Sequence, residues 1–442
     1  MIIVIGAGPA GRLGAMRLAR AGKEVTLVDR GGVGGQCLHH GCMVVCALSD
    51  VARTVRYART MKDLGILDAV PRVSFPAMMG ELRKVQQQIE AVLDAETREA
   101  GVAVCTGTEG SLDGRHVYIG GREADAEAVL LATGSRPVVP EVEGVGLPGV
   151  VTAHTLGSLA HLPLRLAIIG GGVMGAEYAH IFQAFGSEVH LFARSGLLRE
   201  LDIRLREVAL RELDGVHLHE HRKLVQFNGG KAVEAVVSEG KDGREETPVD
   251  AVLLATGLTP RSDAIRGVEK GSSGEVVVDD RMQTSVGGVY AAGDVTGPPY
   301  LTPVARMEGL VAADNILGRE RRMDYRYLPQ SLTLFHELAW CSEDCGGQVS
   351  LGAPSPAGPG SFWSVPSGAT GFTKVVVDPE DGRICSVAAA APGASILVSY
   401  LAFLMREGYR AEDFEEFLEV HPSTDGAFSL IRYADEWLRS RR

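Results

Sequence analysis

The 442-residue chain is poor in tryptophan (3), in lysine (8 of the 44 Lys+Arg) and in asparagine, of which only Asn228 and Asn315 occur. That balance suits a hot habitat and a GC-rich genome equally. No apolar run reaches ~18 residues, which excludes a transmembrane helix. Met1-Ile2-Ile3-Val4-Ile5-Gly6 lacks the basic segment and the roughly 7–15-residue apolar core of a signal peptide, so a cytoplasmic location is expected. There is no Lys/Arg block, and a net charge of −12 argues against nucleic acid or an anionic membrane as partner. Seven cysteines are too few for a disulfide scaffold, and in a reducing compartment a close cysteine pair is more often catalytic or metal-binding than structural. With 45% hydrophobic residues, 55 Gly and 20 Pro the chain is neither disordered nor collagen-like, and its length predicts two to four packed domains.

What is present starts at the first residues. Ile2 to Ile5 is an apolar, β-branched run that breaks into Gly6-Ala7-Gly8-Pro9-Ala10-Gly11. A helical pattern follows through Arg20, then a second apolar run, Val25 to Val28, ending at Asp29. This is a dinucleotide fingerprint in its proper context. Gly6 permits the tight turn, Gly8 lets the backbone approach a pyrophosphate, Gly11 allows close helix–strand packing, and the helix N-terminus faces the phosphates. Asp29, 18 residues after Gly11, stands where a carboxylate accepts from a ribose 2′-OH.

A second copy runs from Leu166 to Ile169 through Gly170-Gly171-Gly172-Val173-Met174-Gly175, a helix to Phe185 and a strand from Val189 to Phe192. No acid closes that second strand. Arg194, with Arg199 five residues on, is suited to pair with a 2′-phosphate, which favours NADPH over NADH. The alternative is two solvated surface arginines. Further strand-to-glycine breaks end at Gly134, at Gly257 and at Gly293-Asp294, the last followed by a helix from about Pro303 to Leu317. Residues 351–371 read as a long loop, Phe372–Val377 and Arg383–Ala390 as strands, and helices are expected near 393–407 and 426–440.

Within Gly34-Gly35-Gln36-Cys37-Leu38-His39-His40-Gly41-Cys42, five residues of regular helix would rise about 7.5 Å. A disulfide needs Cα atoms within about 7 Å. Cys37 and Cys42 therefore bridge only if the helix is distorted between them, and Gly41 supplies backbone freedom for that. Two reduced cysteines and a metal pair are the alternatives. No second cysteine-rich motif of suitable spacing supports zinc, and no metal is expected.

Taken in order, the two glycine fingerprints, the Cys-x4-Cys, the Ala-Thr-Gly turns at Gly134 and Gly257, Tyr290-Ala291-Ala292-Gly293-Asp294, Leu301-Thr302-Pro303-Val304-Ala305 and His421-Pro422 make the whole chain resemble the FAD-dependent pyridine nucleotide-disulfide oxidoreductases. Glutathione reductase, dihydrolipoamide dehydrogenase and mercuric reductase are the named types it resembles. The resemblance implies an α/β fold: two Rossmann-like dinucleotide-binding domains and a C-terminal α+β dimerisation domain. Its boundaries are a FAD-binding domain at 1–150, an NAD(P)-binding domain at 151–262, a return to the FAD-binding region at 263–321 and the dimerisation domain at 322–442. It implies that Gly6, Gly8, Gly11 and Asp29 hold the ADP part of FAD and Asp294 its ribityl chain. Cys42 would then lie nearest the flavin while Cys37 meets the substrate, Glu177 would stand near flavin and nicotinamide, and His421 of a homodimer partner would serve as acid/base.

The pattern breaks in two places. Family members carry a lysine where Cys46 stands, so Glu177 loses its cation and must have a raised pKa or find another partner. Cys46 is expected to be a small buried substitute that matches Val44 and Val45, the alternative being a third redox thiol one turn from Cys42. Family members also carry a glutamate, where Gly426 stands, that orients the histidine, and Asp425 is one position out of phase. There is no C-terminal vicinal cysteine pair, and Cys341 and Cys345 read as buried or surface thiols. The leading expectation is an NADPH-dependent flavoprotein that reduces a small-molecule or protein disulfide, or a related sulfur or electrophilic substrate, through Cys37 and Cys42. Rivals are altered chemistry, such as thioether cleavage or quinone or oxygen reduction, and an electron-relay subunit without its own small substrate.

Overall fold

A computed structural model of the chain describes residues 1–344, 348–423 and 426–441, so Cys345 and Asp425 lie outside the described residues. Its α-helices are α1 (Pro9–Arg20), α2 (Gly35–His39), α3 (Cys42–Asp63), α4 (Phe75–Glu99), α5 (Val173–Phe185), α6 (Ile203–Glu212), α7 (Thr302–Ile316), α8 (Ala394–Arg406) and α9 (Gly426–Arg439). Among the described residues no helix is long and apolar enough to cross a membrane. The chain forms two compact units, residues 1–47, 74–162 and 253–324, and residues 48–73, 163–252 and 325–442.

The first unit is built on a parallel sheet ordered Val289–Ala291, Ala128–Leu131, Ile2–Ile5, Val25–Val28, Val102–Cys105. Ile2 to Ile5 is buried on both faces, as a central parallel strand requires, which explains why it reads as an unbroken apolar run. One face packs on α1 and α7 through Leu18, Leu27, Leu130 and Val311. The other packs on Leu112 and Val117 of a small antiparallel meander, Gly110–Asp113, His116–Ile119 and Arg122–Ala124, and on Ile265 of the strand Ile265–Arg266, which joins the meander in parallel.

Helix α1 is pressed unusually close to its surroundings. A Cβ on Gly11 would lie 1.9 Å from the Gly6 carbonyl oxygen, and Gly6 itself has φ +110°. Facing α1, a Cβ on Gly309 of α7 would lie 2.2 Å from the Ala10 carbonyl oxygen. The buried Asp314 of α7 accepts from Arg17 Nε (2.9 Å) and from Arg321 Nη1 (2.9 Å), tying the two helices together.

The second unit repeats the motif. Arg165–Ile169, Glu188–Ala193 and His217–Glu220 pair in parallel, with α5 following the first strand. A Cβ on Gly175 would lie 1.9 Å from the Gly170 carbonyl oxygen, the same constraint as at Gly11. An antiparallel meander, Lys223–Gly229, Val233–Gly240 and Gly243–Pro248, follows. The rest is an antiparallel sheet ordered Gln330–Thr333, Glu337–Ser342, Ile384–Ala391, Phe372–Val377, Val349–Pro354, with α8 and α9 in its core. The fold is thus α/β, with two Rossmann-like parallel sheets and a C-terminal antiparallel region.

Two expectations need correction. The supposed loop at 351–371 contains most of the Val349–Pro354 edge strand. Gly352 and Pro354 obscure its pattern, but a Cβ on Gly352 would lie 2.9 Å from the Phe372 ring, and an edge strand tolerates a residue without an N–H donor. The Cys46 side chain is exposed, whereas Val44 is buried, because Cys46 follows the exposed Cys42 by one helical turn and shares its face. Cys341 is buried, as read.

The α1–α7 seam sets the first prediction. Gly309→Ala should destabilise the chain by about 1–3 kcal/mol, the usual cost of overpacking, in thermal or denaturant unfolding. Gly80→Ala, on α4 with open space around the position, should stabilise by about 0.5–1 kcal/mol. Equal effects of the two changes would contradict the close approach.

Candidate functional site

In the first unit a cavity of about 320 Å³ is lined at one end by Gly8, Pro9, Asp29 and Gly31 and at the other by Cys37, Cys42, Thr302 and Asp294. The glycines explain how backbone reaches it. A Cβ on Gly35 (φ +59°) would lie 2.7 Å from the Gly8 Cα, so the turn before α1 and the start of α2 touch backbone to backbone. Helix α1 has no side-chain cap and no acid in its first turn, which leaves its N-terminal N–H groups for an anion. Asp29 is fixed by two backbone donors, Ala7 N to Oδ2 (2.7 Å) and Gly31 N to Oδ1 (2.7 Å). The buried Arg261 Nε on the cavity wall has no hydrogen-bond partner. An open helix N-terminus, an orphaned guanidinium N–H and a fixed carboxylate fit the pyrophosphate and ribose of a dinucleotide.

At the other end, α2 stops at His39 and α3 starts at Cys42, so the distortion required between the two cysteines is a full break. His40 N and Gly41 N both donate to the Gln36 carbonyl (2.9 and 2.8 Å). Gly41 does not use the left-handed region. Its lack of a side chain matters instead because a Cβ there would press to 3.3 Å on the Gln36 carbonyl oxygen.

Both thiols are reduced, and they hydrogen-bond to each other. Thr302 Oγ1 lies 3.4 Å from Cys42 Sγ and 3.5 Å from Cys37 Sγ. The hydrogen bond from Cys37, with Thr302 helping, brings Cys42 down to about 6. Its partner is pushed far up by that same bond and by burial. Of the two, Cys42 is thus the thiol that ionises more readily. Thr302 opens α7, whose first turn carries no acid, so the helix offers its positive end to the Cys42 thiolate.

Asp294 accepts from Ser135 Oγ (2.6 Å), and burial pushes its carboxyl above the usual range. Gln36 Oε1 accepts from Ser135 Oγ (3.4 Å) and lies 3.1 Å from His154 Nε2. His154 stacks on His40 (4.5 Å between ring centres), and burial, with the charges of His40 and Arg261, lowers it to about 4, so it is neutral at pH 7. Gly293 (φ +79°) donates its N–H to the buried Glu308 (2.7 Å).

Thus Gly8, Asp29, Gly134, Gly293, Asp294, Cys37 and Cys42 share one cavity, and Gly6 and Gly11 shape the turn behind it. Gly257 (φ +101°) belongs to the same unit, where its carbonyl accepts from Val138 N. In the second unit Gly170 (φ +134°) and Gly172 precede α5, with Gly172 as its N-cap. Arg194 is exposed, and Arg199 pairs with Glu200 (2.8 Å) on the surface. Glu177, on α5, accepts from Thr333 N (2.9 Å). His421 is exposed. Gln36, Ser135, His154, Arg261 and Thr302 were not singled out from sequence. Gln36 and Thr302 sit inside recognised motifs, but nothing local marks His154 or Arg261.

A dinucleotide cradle that ends at a pair of close thiols defines a redox protein. The pyridine nucleotide-disulphide oxidoreductase model matches residues 1–309, and the dimerisation-domain model of the same family matches residues 347–431. The chain belongs to this family, which uses FAD and NAD(P)H. It is 29% identical over 444 residues to a dihydrolipoyl dehydrogenase of Bacillus subtilis, covering 96% of this chain and 95% of the relative. It is 27% identical over 437 residues to a mercuric reductase of Lysinibacillus sphaericus, covering 94% and 79%. Its fold matches the HOCl-induced flavoprotein disulfide reductase RclA from Escherichia coli with a TM-score of 0.85 at 22% identity, over 97% of this chain and 99% of that one.

The thiol pair sets the second prediction. In the reduced protein, iodoacetamide should label Cys42 before Cys37, with a rate that climbs as pH rises through about 6 and levels above it, because only the thiolate attacks. Peptide mapping separates Cys42 from the exposed Cys46. Thr302→Val should move the midpoint upward. A midpoint at the ordinary thiol value, or first labelling at Cys37, contradicts the assignment.

Proposed function

We propose that the chain is an NADPH-dependent FAD flavoprotein that reduces a disulfide, or a related sulfur or electrophilic substrate, through Cys37 and Cys42. The observation that carries this reading is the thiol pair Cys37 and Cys42, both touched by Thr302, on the wall of a cavity that begins at the glycine fingerprint. Bound FAD supplies the step from a nicotinamide hydride to the electron pair that cleaves the Cys37–Cys42 disulfide. Gly8, the α1 N-terminus and Arg261 would hold its pyrophosphate, Asp29 its adenosine ribose and Asp294 its ribityl hydroxyls. Thr302 and the N-terminus of α7 hold the negative charge on Cys42, and Cys37, the thiol offered to substrate, gives up its proton as it attacks, to an acid/base group for which His421 of a homodimer partner is the candidate. Domain roles follow the sequence boundaries: FAD at 1–150 and 263–321, the nicotinamide nucleotide at 151–262, dimerisation at 322–442, with a cytoplasmic homodimer as the working form.

Arg194 supports NADPH, since it is exposed just past the Glu188–Ala193 strand, where an acid would repel a 2′-phosphate. Arg199 contributes only if it leaves Glu200, a solvated pair worth little. Purified chain should bind one FAD, and anaerobic NADPH should raise the thiol count by two per chain. NADPH should act at far lower KM than NADH, and Arg194→Ala should narrow the gap. A chain that stays apo with FAD, or gains no thiols, overturns the reading; equal efficiency with both nucleotides removes the NADPH part alone.

Relatives named dihydrolipoyl dehydrogenase and mercuric reductase support dithiol chemistry. The exposed Cys46 and the glycine at 426 separate this chain from a general disulfide reductase. A Cβ on Gly426 would lie 2.9 Å from Pro356 Cδ, so proline occupies the space that an orienting glutamate would need. Glutathione disulfide and lipoamide should therefore be poor substrates. Acid–base help of this kind is worth about 10²–10⁴-fold, and Gly426→Glu should recover it only together with Pro356→Ala. Turnover of either substrate by unmodified enzyme at ~1–10³ per second would show that the substitutions are silent.

A further inference from the structure

A second cluster of metal-capable side chains lies in the second unit, on the neighbouring strands Glu188–Ala193 and His217–Glu220. Side chains two residues apart on a strand share a face. Glu188 and His190 do so on one strand, His217 and His219 on the other, and His190 and His217 are register partners. His190 Nε2 lies 3.2 Å and His217 Nε2 3.6 Å from the same oxygen, Glu188 Oε1, and one ligand atom from each of the three falls within 4.8 Å of the others. Around a tetrahedral ion with bonds of about 2.0–2.1 Å, neighbouring donor atoms are about 3.4 Å apart. Two of the three edges are therefore nearly formed; the third runs between the stacked rings of His190 and His217 (4.7 Å between centres, 18° between planes), and the exposed His217 must tilt out of that stack to share an ion.

The surroundings are built as a ligand shell needs. The second nitrogen of His190, Nδ1, lies 3.1 Å from His219 Nε2, and the His219 ring is stacked on Phe192 (4.3 Å between centres, 9° between planes). With Nε2 given to an ion, Nδ1 keeps its proton and donates it to His219, an arrangement that fixes tautomer and ring orientation in metal-bound imidazoles. Arg165, the register partner of Glu188 on its other side, is paired with Asp250 (2.6 Å) and so offers less competition for the carboxylate. The His190 side chain is 13% exposed, while those of Glu188 and His217 are 50% and 57% exposed, which leaves one open side for entry and for a water ligand.

The geometry points to a divalent late-transition-metal site, of the zinc class, with Glu188, His190 and His217 as ligands and His219 as the residue that positions His190. Two imidazoles and one carboxylate are donors for zinc rather than for calcium or magnesium. Glu188 opens its strand, whereas nucleotides bind beyond the carboxyl ends of such strands. The ion therefore pins two strands together and stays apart from the nucleotide.

The test uses the FAD-loaded chain with Cys37 and Cys42 oxidised, and zinc chloride as probe. Calorimetry should show one saturable zinc per chain, and Tm should rise with zinc. Zinc-edge absorption should report a nitrogen/oxygen shell near ~2.0 Å without the ~2.3 Å sulfur shell. His217→Ala and Glu188→Gln should each remove the tight site and the gain in Tm, and leave the zinc-free Tm and NADPH-driven flavin reduction unchanged. His219→Ala should weaken zinc by about 10–100-fold without changing the shell, as expected of a positioning residue. No saturable uptake, a sulfur shell, or uptake indifferent to His217→Ala would overturn the assignment.

Discussion

The first unit depends on how closely the backbone of α1 meets the turn before it. With the Gly6 carbonyl 1.9 Å from where a Gly11 Cβ would stand, α1 can sit only where its N-terminus faces the cavity. The same helix is held from its other side by Gly309 of α7. Helix α7 in turn opens at Thr302, the residue that touches both thiols. The seam between two helices thus positions both the anion-binding end and the redox end of one cavity, and a shift in it would disturb both. That coupling gives physical content to a pattern of glycines that would otherwise be mere spacing.

At the redox end the chemistry is set by asymmetry. Two thiols in one hydrogen-bonded pair cannot both ionise readily, and the environment decides which one does. Thr302 and the α7 terminus favour Cys42, while loss of the hydrogen bond it donates to Cys42, together with burial, penalises ionisation at Cys37. The neutral His154 and the hydrogen-bonded Gln36 and Ser135 complete a wall that is polar but carries little charge of its own near Asp294.

Much of this was legible because the constraints are local. The Gly6/Gly11 and Gly170/Gly175 pairs act within a single turn, so spacing alone reveals them, and both parallel sheets followed from their strand–glycine–helix order. The break between Cys37 and Cys42 was legible too, since helix rise forbids the bridge otherwise. What spacing could not show are the contacts across long stretches of chain, such as Ser135 to Asp294 or His154 to Gln36. Cys46 misled because its apolar neighbours suggested burial, while helix phase sets it beside Cys42. The histidines at 190, 217 and 219 were invisible as a group, because only parallel pairing in register brings the two strands' side chains to one face.

Asp314 carries a consequence for proton linkage. Burial alone would raise its pKa, but the donors from Arg321 and Arg17 overcome this and hold it below the usual carboxylate value. A carboxylate held low in the native state and released to about 3.9 on unfolding contributes stability that is complete above the unfolded value and lost as pH falls through the native one. Acid should therefore attack the α1–α7 seam from within, by protonating one buried carboxyl and leaving the guanidinium groups of Arg17, Arg319 and Arg321 without the counter-charge they share. Below about pH 4, dinucleotide release would accompany this local loosening before the parallel sheet itself gives way.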